Sequence, residues 1–378
     1  MQVAIAGGSV GGLFAAALLA KNGHDVTVYE RSATGLSGRG AGLVAQDDVF
    51  KLLRLLGRSD VGVTGVTARS RITLDRSGAI AHRDPHPQTQ ISWDALYEAV
   101  RSQVPDAHYR LDQAVTGAGT TRGLAWLELS DGECVEADLV IGADGIGSRV
   151  RQSMFHGSGV QPRYAGYLAW RFLLPEGQLP DIAAATLSEQ FAFYHMEGGQ
   201  VLGYLVPGPF GETAPGRRRY NCVWYRRVDD LAACLTDETG RTHPFSLPRG
   251  AVSDARRDQL VADAKALLPP AFAAVVAAER EPFVQAIFDL ETPQMVDGRI
   301  VLLGDAAFVA RPHTAMGVAK AAGDAMALQA LLDRTPVEHA LPCYERERLR
   351  VGHSIVDLGR RLGASLASSD VQASVSAR

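Results

Sequence analysis

The sequence predicts an α/β protein: a Rossmann-like domain with a β-sheet domain inserted into it and a C-terminal helical region. Three observations predict this class. Apolar, strand-like runs end in glycine at three distant places, near residues 7, 142 and 304, and an aspartate follows at the last two. Between the second and third places, apolar and polar residues alternate as they do in half-buried antiparallel strands. The segment from Gly323 to Ala367 has helical periodicity.

Composition excludes several classes of protein. The chain has 378 residues, 46% of them hydrophobic, which is enough for an extensive core. A net charge of -4 leaves no basic excess for nucleic acid. No apolar run reaches membrane-spanning length, and Met1 precedes a strand pattern rather than a signal peptide. We therefore expect a soluble, cytoplasmic protein; a homodimer is one of the oligomeric states left open.

The four cysteines and ten histidines give no sign of a metal site. The cysteines lie far apart and form no Cys-x-x-Cys pair, so neither zinc nor a disulfide framework is expected. The histidines have no metal-ligand spacing. We therefore expect no metal.

The N-terminus reads as a strand, a glycine-rich turn, a helix over Leu13–Lys21 and a second strand. A Gly-x-Gly-x-x-Gly pattern falls on Gly7, Ser9 and Gly12, with serine in the middle place, where a small residue still allows close approach to a pyrophosphate. Glu30 ends the second strand, where a carboxylate can bond ribose hydroxyls. This unit predicts a bound dinucleotide.

Two further segments are candidates for ligand contact. The loop from Leu36 to Gly42 has three glycines and one charge, Arg39, which can face a phosphate, a substrate or solvent. Asp144 and Gly145 follow a continuous apolar strand, at the end of a sheet where α/β proteins bind ligands. Asp144 can therefore meet a cofactor or fix the turn. We interpret Ser148 as a helix cap.

The third strand-end segment begins at Gly304 and Asp305, passes through Pro312, His313 and Thr314, and enters a helix at Gly317. A carboxylate there can bind the hydroxyls of a sugar-like chain, and the positive end of the helix dipole can stabilise negative charge on a ring. An ordinary capped turn is the alternative.

The insertion predicts a sheet with one packed face and one face that could roof a pocket. A helical stretch, Asp254 to Ala278, is broken at Pro269-Pro270. We therefore assign residues 1–60, 90–157 and 286–378 to the first domain, and residues 61–89 and 158–285 to a substrate domain.

The three strand-end segments together resemble the single-component aromatic flavoprotein monooxygenases, the group that includes p-hydroxybenzoate hydroxylase. The resemblance implies FAD as cofactor, NADH or NADPH as co-substrate, and a small aromatic or heterocyclic substrate with O2. It also implies that the cofactor-binding positions are those at the three strand ends and the nearby loops: Gly7, Ser9, Gly12, Glu30, Arg39, Asp144, Gly145, Gly304, Asp305, Pro312, Thr314 and Gly317.

Within this family, the segments LSGRGAGLVAQ, YAGYLAWR and RPHTAMGVAKAAGDA are similar to 2,6-dihydroxypyridine 3-hydroxylase and its relatives. Three positions depart from the wider family pattern. Phe308 replaces a frequent histidine, Ala319 replaces a usual asparagine, and Trp93 stands where many members have an arginine. The narrower resemblance implies an activated, hydroxylated N-heterocycle as substrate.

The resemblance implies hydroxylation through a flavin C4a-hydroperoxide, which needs a pocket that excludes water. A group that polarises or ionises the substrate hydroxyl assists. His313 is the first candidate, with a purely structural role in its loop as the alternative. His195 and Tyr194 are second candidates, and strand alternation lets only one of them face the pocket. Arg171 is a weaker candidate, since it resembles a surface charge, and so is Tyr204.

Other functions remain open at this point. A urate-type or antibiotic-modifying flavin monooxygenase is one alternative. A flavin-dependent halogenase is another, but Trp170-Arg171-Phe172 does not supply the Trp-x-Trp-x-Ile-Pro motif that it requires. From a different class, the chain could be a flavin-binding redox sensor without turnover.

Overall fold

The structure is a computed structural model that describes residues 1–36, 42–44, 46–63 and 65–366. Its strands are, in chain order, β1 (Gln2–Ala6), β2 (Asp25–Tyr29), β3 (Gly42–Val44), β4 (Gly65–Ala68), β5 (Ser70–Leu74), β6 (Ile80–Asp84), β7 (Gln88–Ser92), β8 (Tyr109–Arg110), β9 (Val115–Thr121), β10 (Leu124–Leu129), β11 (Cys134–Ala137), β12 (Leu139–Gly142), β13 (Arg163–Pro175), β14 (Gln190–Met196), β15 (Gly199–Val206), β16 (Arg219–Arg227), β17 (Ser246–Leu247), β18 (Phe283–Asp289), β19 (Val296–Asp297) and β20 (Ile300–Leu302).

The α-helices are α1 (Val10–Lys21), α2 (Asp47–Leu55), α3 (Ser59–Val63), α4 (Trp93–Arg101), α5 (Arg149–Met154), α6 (Asp181–Leu187), α7 (Leu231–Cys234), α8 (Asp254–Leu267), α9 (Pro270–Ala278), α10 (Gly317–Leu332) and α11 (Val337–Leu362). No helix in the described part of the chain is long and apolar enough to cross a membrane.

A six-stranded sheet in the described residues forms the Rossmann-like domain, with the order β19-β20-β12-β1-β2-β8. Strands β20, β12, β1, β2 and β8 are parallel neighbours. Parallel neighbours end at the same edge of a sheet, so the loops after β1, β12 and β20 lie side by side. The predicted constellation is therefore a direct result of the strand order.

Helix α1 begins earlier than the sequence predicted. It starts at Val10 rather than Leu13, so Gly12 lies in its first turn. The helix is apolar around most of its surface, and the residues from Leu13 to Leu19 are all buried. A helix that is hydrophobic all round is enclosed by its neighbours. Here it packs between the sheet and α10.

The inserted sheet has eight strands among the described residues, in the order β17-β18-β13-β16-β15-β14-β5-β6. Side chains alternate between its two faces. The outer face carries Trp170, Phe172, Tyr220 and Trp224 and packs with α6, α8 and α9 into one apolar cluster. The inner face carries Tyr167, Ala169, Val223 and Tyr225 and is covered in part by Leu366, from the turn that follows α11.

Two boundaries differ from the predicted domain division. Strand β18 crosses the boundary at residue 286 and stays in the eight-stranded sheet along its whole length. Strand β7 crosses the boundary at residue 90 and pairs with β3 and β4 in a small sheet. The chain therefore leaves the eight-stranded sheet only after Asp289, because pairing with β13 continues to that residue. The division into two domains itself stays a proposal.

Candidate active site

The glycine turn after β1 brings two backbone segments into close contact. Gly7 has φ +102°, and a Cβ there would lie 2.5 Å from the carbonyl oxygen of Ala143. A Cβ on Gly12 would lie 1.9 Å from the oxygen of Gly7. Ser9 precedes α1 in an extended conformation, and its side chain forms no capping hydrogen bond. Only glycine fits at the first and third motif positions, so the turn stays tight and its backbone can approach a ligand.

Glu30 connects this turn to the end of β2. Its two carboxylate oxygens accept hydrogen bonds from the amides of Gly8 and Ser32, each at 2.8 Å. The side chain is buried. The phenol of Tyr109 donates to the carbonyl of Gly8 at 2.9 Å. The carboxylate therefore lies at the turn, as its place after β2 predicts, and part of its bonding capacity is already used by backbone.

Asp144 fixes the turn, which is one of the two roles that the sequence left open. Its Oδ2 accepts the amides of Arg149 at 2.6 Å and Val150 at 3.3 Å, which caps the start of α5. Its Oδ1 is buried and has no hydrogen-bond partner in the described residues. Desolvation raises the pKa of this carboxyl. Ser148 also caps α5, by accepting from Arg151, as predicted. One oxygen of Asp144 thus fixes the turn while the other is left without a partner.

Gly304 and Asp305 begin the third loop. Gly304 has φ +60° and donates its amide to Asp324 Oδ2 at 2.9 Å. The Asp305 side chain is exposed and forms no hydrogen bond within the described residues. Desolvation raises the pKa of Asp305, while the Lys320 ammonium opposes this effect. A carboxyl that is solvent-accessible and yet desolvated lies in a cleft of the protein body.

A buried cluster of charged side chains supports the loop that begins at Gly304. Arg348 Nε donates to Asp324 Oδ1 at 2.7 Å, and Lys320 Nζ lies 3.7 Å from Asp324 Oδ2. All three side chains are nearly inaccessible. The sequence analysis missed this cluster, although Lys320 and Asp324 have the i,i+4 spacing of a helical ion pair. Its effect is to hold the backbone of Gly304 in place.

The loop before α10 closes in a short 3-10 turn over Pro312–Thr314. Ala315 follows with φ +52°, and Thr314 Oγ1 accepts the amide of Met316 at 3.2 Å. Nothing lies within 4 Å of a Cβ built on Gly317, the first residue of α10. The first amides of a helix lack intrahelical partners, so the start of α10 can accept an anionic or electron-rich group. Arg39 lies outside the described residues.

His313 contacts the inner face of the eight-stranded sheet. Its Nε2 lies 2.8 Å from the Tyr167 hydroxyl, and its ring centroid lies 4.5 Å from that of Tyr225. Desolvation, with a contribution from the nearby Arg311, lowers the pKa of His313 to about 4. The imidazole is therefore neutral near pH 7. Arg311 is fully buried and is held by both carboxylate oxygens of Asp289, at 2.9 and 2.8 Å.

An open region of the inner face lies between His313 and β3. His313 covers Tyr225, while β3 lies so close to Tyr204 that a Cβ on Gly42 would lie 3.2 Å from its ring. Strand register puts a row of partly exposed side chains between these two covered places: Arg171, Leu202 and Phe193. Four strand residues separate the two covered rows, a distance of about 13 Å. We call this region the inner-face pocket.

The remaining candidate side chains fall on opposite faces. His195 is on the inner face, in register with Gln200 and Tyr225, and is exposed. Tyr194 packs against the outer-face cluster, on the opposite side of the sheet from His195, and its contact with substrate stays a prediction. Arg171 lies in the middle of β13, half-buried on the inner face, and not at a strand end as a surface charge. Tyr204 is buried beside β3.

The residues at the three strand ends fit FAD. Within the described residues, the cleft has backbone at Gly7 and Gly12 where no Cβ would fit, an Asp144 oxygen without a hydrogen-bond partner, an exposed Asp305 carboxylate and an open helix start at Gly317. These features match a pyrophosphate, a polyhydroxy chain and an electron-accepting ring. Phe308 and Ala319 are both buried and pack in the core, so these departures leave the cleft intact.

Two family models match the chain. An NAD(P)-binding Rossmann-like domain matches residues 5–53, and an FAD binding domain-like model matches residues 164–289. The chain is 31% identical to 2,6-dihydroxypyridine 3-monooxygenase of Paenarthrobacter nicotinovorans over 97% of its length and 91% of that protein. It is 28% identical to 6-hydroxynicotinate 3-monooxygenase of Bordetella bronchiseptica over 92% of its length and 87% of that protein.

Solved structures agree with these relatives. The 2,6-dihydroxypyridine-3-hydroxylase from Arthrobacter nicotinovorans superposes with a TM-score of 0.90 at 30% identity, covering 97% of this chain and 92% of that one. The Klebsiella pneumoniae protein HpxO, solved with FAD and uric acid, has a TM-score of 0.78 at 24% identity, covering 100% and 91%. At 24% identity, the similarity to HpxO supports the fold alone.

These matches support the hydroxylase prediction over a urate-type enzyme, an antibiotic-modifying enzyme or a sensor without turnover. They also agree with FAD as the cofactor and with NAD(P)H as the co-substrate. The three strand-end loops, the inserted sheet and the full-length relatives lead to one conclusion: the chain belongs to the FAD-dependent monooxygenases that hydroxylate aromatic and heteroaromatic compounds.

Proposed function

We propose that this monooxygenase hydroxylates a small, hydroxylated N-heterocycle of the pyridine type in the inner-face pocket. The relatives named for pyridine substrates support this class, because they match nearly the whole chain. The pocket supports it as well, since about 13 Å between its covered ends suits a single ring. FAD, when bound, transfers the electrons of NAD(P)H to O2 and supplies the oxygen atom that enters the ring.

The observation that carries the proposal is the contact between Tyr167 and His313. Burial raises the pKa of Tyr167, so its phenol stays protonated. The Arg311 guanidinium lies 5.6 Å from the ring centroid of Tyr167, and its positive charge makes the phenol a better hydrogen-bond donor. We therefore assign the phenol proton of Tyr167 to the 2.8 Å contact with His313 Nε2. This arrangement assigns the remaining ring proton of His313 to Nδ1.

His313 then acts as a neutral hydrogen-bond donor towards the substrate. A donor at Nδ1 stabilises the ionised form of a ring hydroxyl, which makes the ring more electron-rich and more reactive towards an oxygen electrophile. Aromatic and aliphatic side chains of the inner face exclude water around this contact. His195 is exposed and lies beyond Gln200, so it has a lesser role.

The cofactor-binding roles divide among the three loops. We assign the pyrophosphate to the turn with Gly7, Ser9 and Gly12, and the adenosine ribose to Glu30. Asp144 and Gly145 approach the cofactor from the neighbouring loop, and Asp305 after Gly304 accepts the hydroxyls of its polyhydroxy chain. The ring lies against Pro312, Thr314 and Gly317 at the start of α10. A contact between Arg39 and the cofactor remains a prediction, as do a cytoplasmic location and a homodimer. Light scattering can test whether the protein is a homodimer.

The experiment is a coupling assay on the FAD-loaded protein. NAD(P)H oxidation is measured with hydroxypyridines, urate and simple phenols, together with hydroxylated product and H2O2. We expect hydroxypyridines to give product. His313→Ala should lower the yield of product per NAD(P)H about 10-fold or more, because one hydrogen bond to a charged oxygen is lost, while the FAD content is unchanged.

His195→Ala is the matched control and should leave the yield near that of the wild type. Stimulation by urate or phenols alone would contradict the substrate class. An unchanged product yield in His313→Ala would show that His313 only shapes its loop.

A further inference from the structure

Asn221 is a buried carboxamide on the inner face of the eight-stranded sheet. It lies in β16, opposite Leu173 of β13 and Tyr204 of β15. Only 1% of the residue is exposed, and neither Nδ2 nor Oδ1 has a hydrogen-bond partner among the described residues. It lies beside the Tyr204 phenol without completing a hydrogen bond of normal geometry. Leaving such groups unpaired in the protein interior destabilises the fold, so a partner is expected.

The surroundings of Asn221 form the end of the inner-face pocket that is remote from His313. Arg171 is a diagonal neighbour across β13 and β16, about 7–8 Å away between Cα atoms. Its guanidinium donates to Gln285 Oε1 at 3.2 Å and has no ion pair within the described residues. Two strongly buried arginines of this region, Arg219 and Arg311, are each paired with an aspartate. This end therefore offers an unpaired amide beside an uncompensated positive charge.

A second unpaired carboxamide lies on the opposite wall. Gln90 in β7 is fully buried, and neither of its polar side-chain atoms has a hydrogen-bond partner in the part of the chain that the structure describes. It is in register with Val44 of β3, so both side chains point to the same side of that small sheet. Val44 packs against the cluster that contains Tyr204 and Val206. Hydrogen-bond donors and acceptors therefore border the same end of the pocket.

The chemistry of a carboxamide defines what it recognises. It presents an N–H donor and a carbonyl acceptor side by side, which is the complement of a lactam edge with its ring N–H and adjacent carbonyl. Hydroxylated pyridines adopt such lactam forms, whereas a phenol of the same shape presents only a C–H in place of the ring nitrogen. A nearby guanidinium favours the partial negative charge of the lactam oxygen.

We propose that Asn221 recognises the lactam edge of the substrate, and that the pocket selects N-heterocycles in their lactam form over phenols. The proposal rests on the proposed function and deepens it by naming the feature of the substrate that is read. His313 contacts the oxygen at one end of the ring, and Asn221 pairs with the N–H and carbonyl at the other. Asn221 is therefore a residue that determines specificity.

The test is an equilibrium titration of the FAD-loaded protein without NAD(P)H, followed by the change in flavin absorbance. The probes are 6-hydroxy-2-pyridone and resorcinol, which share one shape but differ in the lactam edge. We expect the wild type to bind the pyridone at least about 10-fold more tightly. Asn221→Leu should weaken pyridone binding by about 10–100-fold and change resorcinol binding by no more than about 2-fold. Asn221→Asp, which lacks the donor, should also lose the preference.

Cys222→Ala is the matched control, because it alters the adjacent residue on the outer face of β16. It should retain the preference, and the FAD content and Tm of every variant report folding. An equal loss for both probes in Asn221→Leu, or no loss for either, would overturn the proposal and indicate that internal water pairs with this amide. A different result would contradict the proposed function itself: no ring compound would stimulate NAD(P)H oxidation by the wild type.

Discussion

Asp305 and Asp324 are two carboxylates of one small region with opposite surroundings. Asp324 is buried and accepts hydrogen bonds from Arg348 and from the Gly304 amide. Asp305 is exposed in the cleft and has no hydrogen-bond partner within the described part of the chain. A carboxylate whose oxygens are all engaged supports structure, whereas a free one can bind hydroxyl groups. At the residue scale, this contrast supports the proposal that Asp305 binds the ligand, whereas Asp324 supports the loop.

Replacing Asp305 should therefore weaken FAD binding. We expect Asp305→Ala to raise the dissociation constant of FAD by about 10-fold or more, because hydrogen bonds to a charged acceptor contribute about 1.5–3 kcal/mol. Asp305→Asn should lose less, since an acceptor remains. Titration of the apoprotein with FAD, followed by flavin fluorescence, measures both values. Unchanged affinity in the alanine variant would show that Asp305 is only a turn residue.

His313 should make stability depend on pH. Its folded-state pKa, about 4, lies below the ordinary value of 6.5. As pH falls from 6.5 towards 4, the unfolded state takes up a proton and the folded state does not, so stability decreases across that window. The full effect is at most about 3 kcal/mol, and less because the ring keeps some solvent contact.

Urea unfolding of the wild type and His313→Asn at pH 7 and pH 4.5 measures this contribution. The variant should lose less stability on acidification than the wild type. His86→Asn, which alters an exposed histidine, serves as the control and should behave like the wild type. Equal acid sensitivity in all three proteins would mean that the imidazole is not desolvated.

At the element scale, the junction of β1 with α1 is the most constrained part of the cleft. A Cβ on Gly12 would lie 1.9 Å from the Gly7 oxygen, and that oxygen is backbone that cannot move without displacing β1. Gly12→Ala should therefore displace the turn and abolish FAD binding, with a lowered Tm. Gly177→Ala introduces a methyl group where nothing lies within 4 Å, so FAD binding and Tm should stay near those of the wild type. FAD-loaded Gly12→Ala with a normal Tm would contradict this packing.

Elements whose signals are local could be predicted from the sequence. The turn at Gly7–Gly12, the Asp144 loop and the Gly304 loop each follow an apolar strand, and the broken helix at Pro269-Pro270 was also recognised. The first residue of α1 was placed three residues late, because glycines read as a turn even when tertiary packing makes them helical. Local sequence patterns therefore predicted the presence of these elements more accurately than their first and last residues.

At the scale of the whole molecule, the site depends on contacts between distant segments that no local pattern encodes. Tyr167 and His313 are 146 positions apart and meet only because the inserted sheet packs against the loop before α10. Arg311 and Asp289 join the same two parts through a buried ion pair. Asn221 and Tyr194 could be assigned to a face only when strand register was known. The sequence therefore predicted the three strand-end loops but not the contacts that form the walls of the proposed substrate pocket.

The most direct test of the central claim follows the oxygen atom. The FAD-loaded protein is incubated with NAD(P)H and a hydroxypyridine under 18O2, and the product is analysed by mass spectrometry. A flavin monooxygenase places one 18O atom in each hydroxylated ring, with close to one product formed per NAD(P)H consumed. Product labelled from water instead, or NAD(P)H consumed only to form H2O2 with every ring compound offered, would contradict the account.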